Sequence, residues 1–165
     1  MEIIDEFLTP SEFGHIKQSM LGSFFPWTVS KIVDDTTNNH NRNVQMVHMF
    51  YDRHAPVDNS VELLYPVLQK LQPCALLKIK ANFLVGVDNI IEHGFHNDVL
   101  DADDRPYLKT SVLYMNTCNG YTLLEDGTKV ESVANRLVTF PNSTKHTGTT
   151  TTDSEYRMVI NFNYV

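Results

Sequence analysis

Apolar residues recur at helical spacing in two stretches, both in the first half of the chain. In the first, Phe13, Ile16, Met20 and Leu21 follow a 3.6-residue period with Lys17 beside them. Just ahead, Thr9-Pro10-Ser11-Glu12 supplies a cap, a proline in the first turn and a glutamate three residues after the cap, so the pattern predicts a helix reaching about Gly22. In the second, Val61, Leu64, Tyr65, Leu68 and Leu71 predict a helix from Ser60 onward, with Pro66 kinking it or marking a later start. Beyond Pro73 the pattern is that of strands, predicted at 75–85, near 93–98, and at 108–116, 121–125, 129–133, 136–140 and 156–165. Two earlier strands are predicted at 25–29 and 44–51, and Asp126-Gly127 marks a tight hairpin. The polar run from Asp34 to Asn43 predicts an exposed connection or, in a sharper reading, a lid over a substrate. Helices first and short strands afterwards predict an α+β, mainly β chain: one domain over residues 1–165, a β-sandwich or jelly roll with N-terminal helices.

Composition narrows the function classes. The chain has 165 residues, 42% of them hydrophobic, enough for a sizeable core. Its net charge of −7 and 13 scattered basic residues argue against a protein that grips duplex nucleic acid by neutralising phosphates. Cys74 and Cys118 have no zinc-type spacing and are too few for a disulfide framework; both are expected to be buried, reduced thiols. The first residues are acidic where a secretory signal would be basic, and no run reaches the roughly 18 apolar residues of a membrane span. A cytoplasmic protein is therefore expected, with no membrane association.

Candidate chemistry centres on His96-Asn97-Asp98. On a strand, residues two apart share a face, so His96 and Asp98 could grip one metal ion, with His146 as third ligand. Two histidines and one carboxylate on one side of a metal, with the other positions open, suit non-haem Fe(II) oxygen chemistry. His93 is read as solvated or substrate-facing, and His15 as solvated. His40, His48 and His54 have no competing ligand spacing. Asp101-Ala102-Asp103-Asp104 is read as solvated surface, since it lacks the glycine and terminal glutamate of a calcium loop.

Lys109-Thr110-Ser111-Val112-Leu113-Tyr114-Met115-Asn116, followed by Gly120-Tyr121-Thr122, resembles the 2-oxoglutarate and Fe(II)-dependent dioxygenases, in particular their prolyl 4-hydroxylase-like branch. Asn135 to Phe140 ahead of His146, and Arg157 eleven positions beyond it, extend the resemblance, which covers roughly residues 75 to 165 well and the N-terminal part loosely. It implies a double-stranded β-helix (jelly roll) braced by the N-terminal helices. The iron ligands would be His96, Asp98 and His146, with oxoglutarate as cosubstrate and O2 as oxidant. Arg157 would fork onto the far carboxylate of oxoglutarate, with Tyr114 donating its hydroxyl to the same group. Residue by residue, Arg157 also reads as a surface ion-pair partner and Tyr114 as a core tyrosine. Thr110 and Asn161 fall where the family sometimes places polar groups around oxoglutarate. Lys80 and Asn82 stand where the family often has tyrosine or arginine, a departure on the substrate side of the pocket. The resemblance implies hydroxylation of a small molecule or a peptide, with proline one candidate residue, and release of succinate and CO2. The alternatives are a non-catalytic jelly-roll binding module and a cupin-like metal enzyme that does not use oxoglutarate.

Overall fold

The computed structural model describes residues 1–32, 44–99 and 107–165. In chain order its elements are β1 (Glu2–Ile4), α1 (Pro10–Leu21), β2 (Thr28–Lys31), β3 (Val44–Asp52), β4 (Ala55–Pro56), a 3-10 turn (Asn59–Leu64) and α2 (Tyr65–Leu71). They continue with β5 (Leu76–Val85), β6 (Lys109–Tyr114), β7 (Tyr121–Leu124), β8 (Lys129–Glu131), β9 (Leu137–Pro141), β10 (His146–Gly148) and β11 (Tyr156–Tyr164). The large sheet has the order β1-β9-β6-β11-β5-β3-β2, with β4 paired to β3, and the small sheet is β10-β7-β8. Every pairing is antiparallel. Val112, Tyr114, Val138, Phe140 and Val159 of the large sheet cluster with Leu124 and Val130 of the small one, so two sheets close face to face as a jelly roll.

Alternation along the strands sorts side chains between two cores. On β11, Met158, Ile160, Phe162 and Tyr164 join the helix-side core, while Arg157, Val159, Asn161 and Asn163 face the other way. On β5, Ile79 and Ala81 go to the helices, and Lys78, Lys80, Asn82 and Leu84 lie opposite Asn163, Asn161, Val159 and Arg157 respectively. One face is thus apolar and covered by helices; the other carries the polar groups that line a cavity.

The helices brace the apolar face. Thr9 and Glu12 form the reciprocal capping box that starts α1, and Ile16 and Met20 are fully buried against Val61, Leu64 and Val67. Each such side chain contributes roughly 1.5–3 kcal/mol by leaving water. Leu21, counted on the same stripe, is instead largely exposed. Pro66 does mark a later start: residues 59–64 form the 3-10 turn and α2 begins only at Tyr65, because proline fits the first turn, where its missing N–H is not needed.

Several expectations need correction. The strand expected at 25–29 begins at Thr28, since Trp27 N–H turns back to the Phe25 carbonyl at 2.9 Å. The 93–98 segment is not a strand; it carries one isolated bridge, at His96, with another just ahead of it at Glu92. Cys118 is buried but Cys74 is exposed, ahead of β5. His93 is buried, not solvated. The Asp126-Gly127 hairpin forms as expected, with Gly127 at φ 87°, the left-handed region open to glycine. The candidate lid at 34–43, His40 and the acidic run at 101–104 lie outside the described residues. Among the described residues, no helix is long and apolar enough to cross a membrane.

Candidate metal centre

The bridge at His96 brings two sequence-distant imidazoles together. His96 N–H donates to the His146 carbonyl and His146 N–H to the His96 carbonyl, both at 3.0 Å, so the two residues form one hydrogen-bonded antiparallel pair. His146 is the first residue of β10, which β7 holds in place, and the two imidazole rings stand 4.9 Å apart. After His96 the chain bends, and Asp98 turns its carboxylate between them: His96 Nε2 lies 3.8 Å from Oδ1 and His146 Nε2 3.9 Å from Oδ2. The potential ligand atoms of His96, Asp98 and His146 all lie within 4.8 Å of one another, and no other such cluster occurs among the described residues. Residues at i and i+2 converge here through a bend and a bridge rather than through a strand face.

Supporting contacts fix the ligands. His96 Nδ1 lies 3.1 Å from the Gly94 carbonyl and donates to it, leaving the Nε2 lone pair for a metal. Asn161 Nδ2 donates to the Asp98 carboxylate at 3.1 Å and Asn163 Nδ2 at 3.2 Å. Asn163 is anchored in turn by Thr110 Oγ1 at 3.0 Å, and Thr110 by Asn142 Oδ1 at 3.0 Å. Lys78 Nζ donates to the Asp98 backbone carbonyl at 3.3 Å. Burial alone would raise the Asp98 pKa, but His146, His96, Asn163 and Lys78 outweigh it and hold the carboxyl below its ordinary range. An ionised carboxylate and two imidazoles, oriented from behind, make a donor set that fits divalent iron.

Burial pulls the His146 pKa down, and His96 adds to this; Asp98 and the Thr144 backbone only partly oppose it. The unfolded imidazole takes a proton near pH 6.5, whereas the folded one resists it. Stability from this group is therefore complete above pH 6.5 and is lost as the pH falls through the lower folded value. The metal-free protein should show a thermal midpoint that falls as the pH drops below about 6.5, with the slope flattened in His146→Ala. A midpoint that rose on acidification would contradict this.

The centre opens into a cavity of about 80 Å3 whose walls include Lys80, Asn82, His93, Thr122, Gly148, Arg157 and Asn161. Arg157 is fully buried there. Its Nε donates to Ser132 Oγ at 2.8 Å, Nη2 to Thr122 Oγ1 at 3.2 Å and Nη1 to the Thr149 carbonyl at 3.5 Å, all neutral acceptors. Burial pulls its pKa down, and among the described residues no carboxylate forms an ion pair with it. Since arginine stays charged, the site holds a desolvated cation that an anionic ligand would complete.

Tyr114 is wholly buried within the core cluster between the sheets, and its hydroxyl donates to Thr122 Oγ1 at 2.8 Å. Burial raises its pKa and Arg157 works against that rise. Thr122 accepts from both Tyr114 and Arg157, so its own hydroxyl hydrogen remains to donate to a ligand. Thr122, Ser132 and Asn163 were not assigned from sequence. The Gly120-Tyr121-Thr122 turn and the alternation of β11 carried the only signals, whereas nothing local marked Ser132.

Gly120 gives Arg157 its room. A Cβ there would sit 2.5 Å from Arg157 Cδ and 2.7 Å from the Thr150 carbonyl oxygen. Gly120→Ala is therefore expected to cost about 1–3 kcal/mol of stability, read by denaturant unfolding, and to displace the guanidinium. An alanine variant as stable as the parent would show the contact to be loose.

No protein-family model matches the chain, and no curated protein does. Solved structures do match it. The Trichoplax adhaerens prolyl hydroxylase in complex with a hypoxia inducible factor oxygen degradation domain peptide superposes with TM-score 0.71 at 16% identity, covering 99% of this chain and 82% of that one. The non-heme alpha ketoglutarate dependent epimerase SnoN from nogalamycin biosynthesis gives 0.68 at 12% identity, covering 99% and 76%. The viral collagen prolyl hydroxylase of Paramecium Bursaria Chlorella virus-1 gives 0.60 at 14% identity, covering 99% and 88%. Placed beside these proteins along almost its whole length, the chain has the fold shared by prolyl hydroxylases and alpha ketoglutarate dependent non-heme enzymes.

Proposed function

We propose that residues 1–165 form one Fe(II)- and 2-oxoglutarate-dependent dioxygenase domain, of the prolyl 4-hydroxylase-like branch, that hydroxylates a small molecule or a peptide and releases succinate and CO2. A reducing cytoplasm would supply both Fe(II) and oxoglutarate. The observation that carries this reading is a buried arginine without a carboxylate partner among the described residues, in the same cavity as two imidazoles and a carboxylate.

His96, Asp98 and His146 would hold the iron, which when bound supplies the oxygen chemistry that couples decarboxylation of oxoglutarate to hydroxylation. Asn161 and Asn163 keep the Asp98 oxygens oriented. Arg157 binds the far carboxylate of oxoglutarate with its guanidinium, and Thr122 donates its hydroxyl to the same group. Tyr114 acts through Thr122, fixing which way that hydroxyl points. Val112, Leu84 and Val159, on the cavity wall, keep water from the chain of the bound acid.

An anaerobic titration of metal-free protein with Fe(II), then oxoglutarate, tests this reading through the visible metal-to-oxoglutarate charge-transfer band. A band, followed by succinate release on admitting O2, supports it. Iron binding without a band would point to a cupin-like metal enzyme; no iron binding would point to a non-catalytic module.

A further inference from the structure

We propose that Lys80 binds an anionic group of the substrate, so that the substrate class is a carboxylate-bearing small molecule or a peptide presenting an acidic group. This rests on the oxygenase reading above.

Lys80 lies across from Asn161, which holds Asp98, whereas Arg157 lies across from Leu84. The two cations thus occupy opposite ends of the cavity wall, four residues or about 13 Å of strand apart. A dicarboxylate held by Arg157 at one end and by metal at the other leaves Lys80 over for a different ligand.

Charge points the same way. Among the described lining residues, Lys80, Arg157 and Asp98 are the charged side chains, giving one net positive charge. A divalent metal raises that to three, and the oxoglutarate dianion lowers it to one. A cleft with one surplus cation on its walls favours an anionic occupant. Lys80 itself is half-buried. Burial depresses its pKa and Lys78 adds to this, with Asp98 as the one opposing influence, so its ammonium gains from a new counter-charge. Beside it, Asn82 Oδ1 is buried without a hydrogen-bond donor among the described residues, leaving an acceptor for an N–H or O–H elsewhere on the same ligand, not for its anionic group.

The test compares N-acetylglycine with N-acetylglycinamide, near-identical probes that differ by one charge, on the anaerobic Fe(II)- and oxoglutarate-loaded protein. Readouts are the perturbation of the charge-transfer band and the thermal midpoint. The acid is expected to act at concentrations at least about tenfold lower than the amide, as an added charge-assisted contact implies. Lys80→Met should abolish that preference, Lys80→Arg should restore it, and half-saturation by oxoglutarate should change by less than about twofold in both variants. Equal response to acid and amide in the parent overturns the proposal whatever the variants do. Loss of oxoglutarate affinity in Lys80→Met also overturns it, by assigning Lys80 to the cosubstrate. A parent that forms no band defeats the oxygenase reading first, and the proposal with it; a band without acid preference defeats the Lys80 proposal alone.

Discussion

Asp98→Asn should eliminate iron binding and turnover while leaving the fold standing. The asparagine keeps an oxygen that can accept from Asn161 and Asn163, so the buried amides behind it are not orphaned. What disappears is the negative charge between two imidazoles whose Nε2 atoms lie 3.8 and 3.9 Å from its oxygens. Loss of an outer supporting contact typically costs a metal site 10–100-fold in affinity, and removal of a charged ligand should exceed that. Iron titration and thermal unfolding, measured together, give the check. Parental iron affinity in this variant would mean that the metal, if one binds, is held elsewhere.

Arg157→Met should move binding and stability in different directions. Methionine reproduces the arginine side chain only as far as Nε and carries no charge, so the far carboxylate of oxoglutarate loses its charged hydrogen bonds. At about 1.5–3 kcal/mol, this corresponds to a rise of roughly 10- to 150-fold in the oxoglutarate needed for half-saturation of the band. The unliganded fold, by contrast, is relieved of a buried cation that no carboxylate among the described residues compensates. Removing such a charge in favour of an apolar side chain is often neutral or stabilising, so the thermal midpoint should hold or rise. Unchanged half-saturation would remove Arg157 from the cosubstrate site. A large fall in midpoint would show that its bonds to Ser132 and Thr122 are structural.

Local pattern already contained much of this. The Thr9 cap and Glu12 mark the start of α1, and the polar/apolar alternation of Tyr156 to Tyr164 specifies a strand with two different faces, because period two is a property of the backbone alone. The hairpin at Gly127 was legible for a similar reason, since few residues tolerate positive φ. Short pieces were not. Residues 2–4 and 146–148 form strands only because β9 and β7 offer them partners, and three residues hold too little pattern to announce themselves.

The candidate chemistry divides along the same line. Sequence by itself determined which residue types were available: His96, Asp98, His146 and Arg157, in an order that resembles a known family. It could not determine that Asp98 would turn back onto Asn161 and Asn163, that Thr122 would stand between Tyr114 and Arg157, or that Lys80 would share their cavity. Those relations depend on strand register and sheet closure, which join residues far apart in the chain, as Asp98 and Asn163 are at 65 positions. Burial, too, is decided only when the sheets close. The same arginine that reads as a surface ion-pair partner in sequence becomes, in the folded protein, a desolvated cation awaiting an anion.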